Sequence, residues 1–106
     1  MFPDMILTNS LQKGLEIFNE TENALLIDVR TEKEYETGHI PGSLNVPLSV
    51  VEDEIVNIAP DTETPVFLYC RTGNRSTQAA VILRENGYEN AVSIGGIEGY
   101  KGEIEK

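Results

Sequence analysis

Residues 65–88 read PVFLYCRTGNRSTQAAVILRENGY, and the reading of this stretch decides the fold. Val66-Phe67-Leu68-Tyr69 is an unbroken apolar run behind Pro65, the pattern of a short strand buried on both faces. It ends at Cys70, the only cysteine of the chain. The polar loop Arg71-Thr72-Gly73-Asn74-Arg75 follows, and then a helical pattern starting near Ser76 or Thr77. Ala79, Ile82 and Leu83 recur there at helical spacing, and Gly87 stands where a left-handed terminating residue belongs. One thiol is thus expected at the carboxyl end of a strand, facing a loop that runs into a helix N-terminus. The first N–H groups of a helix lack intrahelical partners, and the dipole there favours negative charge. Such a turn can hold an anion. An ordinary thiol with a pKa of about 8.5 is only a few per cent thiolate at neutral pH, and making it mostly thiolate requires about 2.7 kcal/mol. A helix terminus supplies about 0.3–1 kcal/mol. Arg71 and Arg75 flank the loop and are the expected source of the remainder. Cys70 is therefore read as an activated nucleophile, where a bare cysteine after an apolar strand would be read as core.

Outward from this stretch the same alternation repeats. Met5-Ile6-Leu7 is a candidate first strand, and Thr8, Asn9 and Ser10 compete to cap a helix that turns Leu11, Leu15 and Phe18 inward. Ala24-Leu25-Leu26-Ile27 is a second apolar run, ending at Asp28-Val29-Arg30. Thr31 and Glu34 have capping-box spacing before a short helix that Gly38 ends. His39-Ile40-Pro41-Gly42-Ser43 is a turn, Leu44-Asn45-Val46 a brief strand, and Ser49 with Glu52 repeats the capping-box spacing ahead of a helix to about Ile58. Ala91-Val92-Ser93-Ile94 is the last strand, and Gly95-Gly96 is expected to open a final helical turn. The closing GEIEK is too polar to assign to an element. Apolar runs alternating with helices predict an α/β sheet, mostly parallel, with helices on both faces. Asp28, Cys70 and the Gly95-Gly96 pair each follow a strand directly, so a parallel sheet brings them to one edge, where such folds bind ligands.

Composition narrows the function classes. At 106 residues the chain, 1–106, is expected to form one domain, with no repeat or linker. The formal net charge of -10 argues against nucleic acid or anionic lipid as partners. From Val66 to Arg84, however, there are three arginines and no Asp or Glu, so the thiol sits in the one basic stretch. A single cysteine and a single histidine assemble neither a disulfide nor a metal cluster, and no cofactor is called for. The N-terminus shows no basic segment followed by an apolar one, hence no expected signal peptide or membrane span. The cytoplasm is the expected location, and a monomer the simplest state for a small acidic domain.

DVRTEKEYETGHIPGSLNVPL (28–48), YCRTGNRS (69–76) and GGIEGY (95–100) together resemble a rhodanese domain, in that family's order and over roughly Ile6 to Tyr100. The resemblance implies a three-layer α/β/α fold with a mostly parallel five-stranded sheet in the order 3-2-4-5-1. It implies a sulfurtransferase of the thiosulfate type, in which Cys70 attacks a sulfane sulfur and carries it as a persulfide cradled by Arg71, Thr72, Gly73, Asn74, Arg75 and Ser76. The donor would be a small anion such as thiosulfate, or a persulfide. The acceptor would be cyanide or a thiol, including a thiol protein such as thioredoxin. Asp28 and Arg30 are similar to the family's DVR signature and are read as structural support; His39 is read as part of the turn, outside the chemistry. Three other readings stay open: a persulfide carrier, a non-catalytic binding module, and a phosphatase or arsenate reductase. Phosphatases of the cell-cycle type and arsenate reductases are similar in fold but use C-x5-R, whereas Cys70 to Arg75 is C-x4-R.

Overall fold

The structure, a computed structural model, describes residues 4–106. In chain order the elements are α1 (Leu11–Asn19), β1 (Leu25–Asp28), α2 (Glu32–Glu36), β2 (Leu44–Asn45), a 3-10 turn (Leu48–Val50), α3 (Val51–Ile58), β3 (Val66–Cys70), α4 (Asn74–Glu85) and β4 (Ala91–Gly96). The four strands form one parallel sheet in the order β2-β1-β3-β4. β3, all five residues buried, lies in the middle and divides its side chains by strict alternation. Val66, Leu68 and Cys70 face the core under α3 and α4, with Val51, Ile55, Ala79, Ala80, Leu83 and Tyr88. Phe67 and Tyr69 face the core under α1, with Leu11, Leu26, Val92 and Ile94. The sheet is therefore covered on both faces, and its continuous apolar strands are the consequence.

The expected fifth strand is reduced to a single bridge. Ile6 pairs with Ser93 in parallel, Leu7 N–H donates to Ser93 at 2.9 Å and Ser93 N–H to Met5 at 2.7 Å, beside β4 where the first strand of a 3-2-4-5-1 order belongs. The chain turns away at once. Thr8 Oγ1 accepts from Ser10 N–H, and Ser10, among the three candidate caps, accepts from Lys13 N–H to start α1. Among the described residues the backbone leaves the sheet after Leu7, so the pairing with β4 stays a single bridge.

The Thr31–Glu34 capping box forms in full. Gly87 ends α4 in the left-handed region, with Tyr88 N–H bonded to Leu83 and Gly87 N–H to Arg84, a Schellman arrangement. The Ser49–Glu52 box does not form: the 3-10 turn occupies 48–50, α3 starts at Val51, and Glu52 accepts from Asn86. α4 begins at Asn74, two residues before the earliest start read from sequence, because Gly73 at φ 104° makes the entry without any side-chain cap. β4 runs on to Gly96 where a helical turn was expected, and a bulge sets four residues, Ser93 to Gly96, against the three of Leu68 to Cys70. The polar C-terminus is tied down as well: Glu105 and His39 exchange backbone hydrogen bonds at 2.8 Å. Among the described residues, no helix is long and apolar enough to cross a membrane.

Candidate active site

Cys70 ends β3 with its side chain buried, 1% exposed, and its Sγ turned toward the start of α4. Gly73 N–H donates to Sγ at 3.0 Å and Ser76 N–H at 3.4 Å, while Ser76 Oγ lies 3.6 Å away. The left-handed Gly73 turns these two amides inward, and the chain around it is tightly packed. A Cβ on Gly96 would collide with the carbonyl oxygen of Arg71, so glycine there lets β4 pass against the loop. Ser76 Oγ is 2.7 Å from Ser93 Oγ, 3.1 Å from the Gly73 carbonyl and 3.4 Å from that of Gly95. A hydroxyl has one proton to give. With Ser93 donating to it, Ser76 is free to accept from a thiol or to donate to a thiolate. Burial pushes the Cys70 thiol up. Hydrogen bonds from the Ser76 side chain and from the Ser76, Gly73 and Thr72 amides outweigh it, and the net shift is downward.

The two flanking arginines are engaged by carboxylates that local sequence did not point to. Arg71 reaches Glu98 at 3.0 Å, both side chains more than half exposed. Arg75 is bidentate with Glu34, at 2.7 and 3.0 Å. Thr31 N–H and Oγ1 also donate to Glu34 Oε1, at 3.0 and 3.1 Å. The Arg75 guanidinium and the Thr31 contacts outweigh a modest burial penalty and hold the Glu34 carboxyl at about 2. A depressed carboxyl pKa contributes stability that is present above the unfolded value and is lost as pH falls through the folded one. Arg75→Gln is therefore expected to raise the Glu34 pKa toward the ordinary carboxylate range. It should also flatten the acid loss of stability between about pH 4.5 and 2. A carboxyl-carbon NMR titration checks this; an unchanged Glu34 midpoint would disprove the coupling.

Asp28, at the end of β1, is fully buried and takes the whole polar edge of Arg30: the backbone N–H at 2.9 Å, Nε at 3.0 and 3.1 Å, and Nη2 at 2.7 Å. Arg30 Nη2 also donates to the Gly38 carbonyl at 2.7 Å, and its guanidinium lies 6.0 Å from the Tyr69 ring centre. Tyr69 Oη accepts from Ile40 N–H at 3.0 Å and pairs with Ser43 Oγ. Asn45 Nδ2 donates to the Asp28 and Arg30 carbonyls. This network ties the 38–45 segment to the ends of β1 and β3 and does not touch the sulfur. His39 stacks on Tyr35 at 3.6 Å, with Nδ1 on the Tyr35 carbonyl and Nε2 3.4 Å from Glu105. It holds the C-terminus, away from the thiol. Thr72 is exposed on the loop and Asn74 is exposed as the first residue of α4.

Ser93, Glu34 and Glu98 join the site although the sequence motifs do not mark them. Ser93 had a signal: a hydroxyl inside the apolar run Ala91–Ile94 must find a partner when buried. Glu34 had none beyond its capping role, since it lies 41 positions from Arg75.

Comparison with known proteins agrees with this architecture. A family model described as the rhodanese-like domain matches residues 10–103. The thiosulfate sulfurtransferase PspE of Escherichia coli is 35% identical over 98 residues, covering 92% of this chain and 91% of that one. The putative sulfur carrier protein YrkF of Bacillus subtilis is 29% identical over 85 residues, covering 80% of this chain and 45% of its own length. The structure of the human single-domain sulfurtransferase TSTD1 superposes with a TM-score of 0.69 at 32% identity, covering 84% of this chain and 88% of that one. A buried cysteine cradled by loop amides at the carboxyl edge of a parallel sheet, with a family match across most of its length, makes this chain a member of the rhodanese-like family.

Proposed function

We propose that this chain is a sulfurtransferase in which Cys70 carries sulfane sulfur as a persulfide. The observation that supports it most is the convergence of the Gly73 and Ser76 amides on one buried sulfur, with the Ser76 hydroxyl beside them. In the first half-reaction the Cys70 thiolate attacks the outer sulfur of a donor. With thiosulfate the new Sγ–S bond forms, the S–S bond of the donor breaks, and its electron pair leaves with sulfite. In the second, cyanide or a thiolate attacks the outer sulfur and Cys70 departs again as thiolate. Cys70 is the nucleophile. Gly73, Ser76 and Thr72 stabilise the anionic sulfur; Arg71 flanks the loop, and Asn74 and Arg75 open α4 beside it; Asp28 and Arg30 keep the loops in register. Thiosulfate as donor and thioredoxin as an acceptor belong to this reading, as does a reducing compartment such as the cytoplasm, in which Cys70 can return to the thiol.

The burial of Sγ favours sulfur over phosphate, since a slim terminal atom can reach it and a phosphoryl group with three oxygens needs a wider ring of amides. The name of YrkF supports a second reading, a carrier loaded by a protein donor. Intact-mass measurement after incubation with thiosulfate separates these. The expected result is a gain of one sulfur, removed by reductant, and thiocyanate when cyanide is added. A species that loads only from a protein persulfide would favour the carrier. No adduct from thiosulfate, an organic donor or a protein persulfide would overturn both.

A further inference from the structure

We infer that the site favours a donor whose sulfane sulfur is carried on an apolar organic group over the small dianion thiosulfate, and that Glu34 sets this preference through Arg75. The inference rests on the sulfurtransferase reading and names its substrate class. It begins with charge. The basic stretch that flanks Cys70 in sequence is not basic in space, because Glu34 and Glu98 come from distant segments to meet Arg75 and Arg71. The four charges cancel, in a chain of formal net charge -10. Arg71 is more than half exposed and its pair is readily screened, but Arg75 is not free to swing. Its partner carboxylate is fixed on the far side by two hydrogen bonds from Thr31, the cap of α2. A dianion arriving at this mouth therefore meets no uncommitted positive charge on the loop's arginines.

Space supplies the second observation. A groove of about 290 Å³ opens beside Arg75, lined by Val29, Thr31, Pro47, Leu48, Ser49 and Arg75 itself. Arg75 directly precedes Ser76, whose amide and hydroxyl hold the sulfur. The lining sets the aliphatic Val29, Pro47 and Leu48 beside Thr31, Ser49 and the paired Arg75 guanidinium. Val29 of the groove and Cys70 belong to one core cluster on the same face of the sheet, so an organic group bound there can present its terminal sulfur to Cys70, and its burial replaces the electrostatic attraction that thiosulfate would need. The chemistry balances without an oxidant. With a thiosulfonate, R–SO2–S⁻, the thiolate forms the Sγ–S bond, the bond between the two donor sulfurs breaks, and the electron pair leaves with the sulfinate, R–SO2⁻. With an alkyl persulfide anion the leaving group is the thiolate, and no other group is oxidised or reduced.

Benzenethiosulfonate and thiosulfate deliver the same outer sulfur and differ in replacing one anionic oxygen by a phenyl ring, so the ratio of their kcat/KM values is the test. Cyanide is the common acceptor, at constant ionic strength and near-neutral pH, and Cys70 loading is followed by intact mass. Relative to the ratio shown by a free thiol in solution, the enzyme is expected to favour benzenethiosulfonate by about tenfold or more. Glu34→Gln, which keeps an acceptor for Thr31, should lower that ratio by about 3-fold or more, mainly through a fall in KM for thiosulfate as Arg75 is released. Leu48→Ala should lower it by about 5-fold through a rise in KM for benzenethiosulfonate. A wild-type preference for thiosulfate, or a ratio unmoved by Glu34→Gln, would overturn the inference while leaving the sulfurtransferase reading intact. Failure of both donors to load Cys70 would instead remove the reading beneath it.

Discussion

Cys70→Ser is expected to lower sulfur transfer by on the order of 10^3-fold or more while leaving the fold in place. The reasoning starts from ionisation. The cradle lowers a thiol from its ordinary range through hydrogen bonds from Ser76, Gly73 and Thr72, working against burial. The same donors cannot bring an aliphatic hydroxyl, whose proton is far more tightly held, to a reactive anion near neutral pH. A serine Oγ also forms no persulfide analogue, so the covalent intermediate is lost with the nucleophile. The substitution itself is small, and both Gly73 N–H and Ser76 N–H can still donate to an oxygen at the site. Thiocyanate production and a thermal melt on the same sample check both halves. Since Cys70 is the only cysteine, any remaining one-sulfur adduct would lie elsewhere. Residual transfer within tenfold of wild type would show that the sulfur does not pass through this side chain.

Asp28→Ala is expected to carry the largest stability cost, about 3–5 kcal/mol, as for a buried ion pair stripped of one partner. Asp28 is fully buried and Arg30 is 5% exposed, so the remaining guanidinium has neither its carboxylate nor ready access to water. Asp28 satisfies the Arg30 backbone N–H, Nε and Nη2 together, leaving, among the described residues, the Gly38 carbonyl as acceptor in the variant. For a chain of this size the melting temperature should fall by roughly 12 °C or more. Asp28→Asn retains an acceptor of the same shape and should cost less, which keeps the comparison interpretable should the alanine variant not fold. Denaturant melts decide the matter. A loss below about 1 kcal/mol for Asp28→Ala would mean that the Arg30 network carries little of the stability argued for it. Because this network contacts the 38–45 segment and not the sulfur, folded Asp28→Asn should retain transfer far better than Cys70→Ser.

Most of the fold was legible because it depends on nearest neighbours and period. Val66–Tyr69 and Ala24–Ile27 are too apolar to face water on either side, and Thr31–Glu34 and Gly87 are local signals with local partners. The failures were of two kinds. Entry to α4 is made by the backbone conformation of Gly73, which leaves no side-chain signature, so the helix starts two residues ahead of the first position its side chains mark. Ser49–Glu52 has the right letters, but the chain tightens into a 3-10 turn there and Glu52 serves Asn86. Met5–Leu7 has strand-like residues, yet among the described residues the chain turns into the Ser10 cap of α1 after Leu7 and makes one bridge.

The sequence by itself determined an α/β sheet whose strand ends carry Asp28, Cys70 and Gly95-Gly96, and a thiol facing a glycine turn and a helix start. Those conclusions follow from hydrophobic periodicity and the direction of the peptide dipole, which act within a few residues. Only the tertiary structure decided the electrostatics of the mouth. Glu34 and Glu98 reach the loop arginines across 41 and 27 positions, and Ser93 reaches Ser76 across 17. Charge acts through space, so a run of arginines free of acid in the sequence became a neutral rim around a sulfur held by amides.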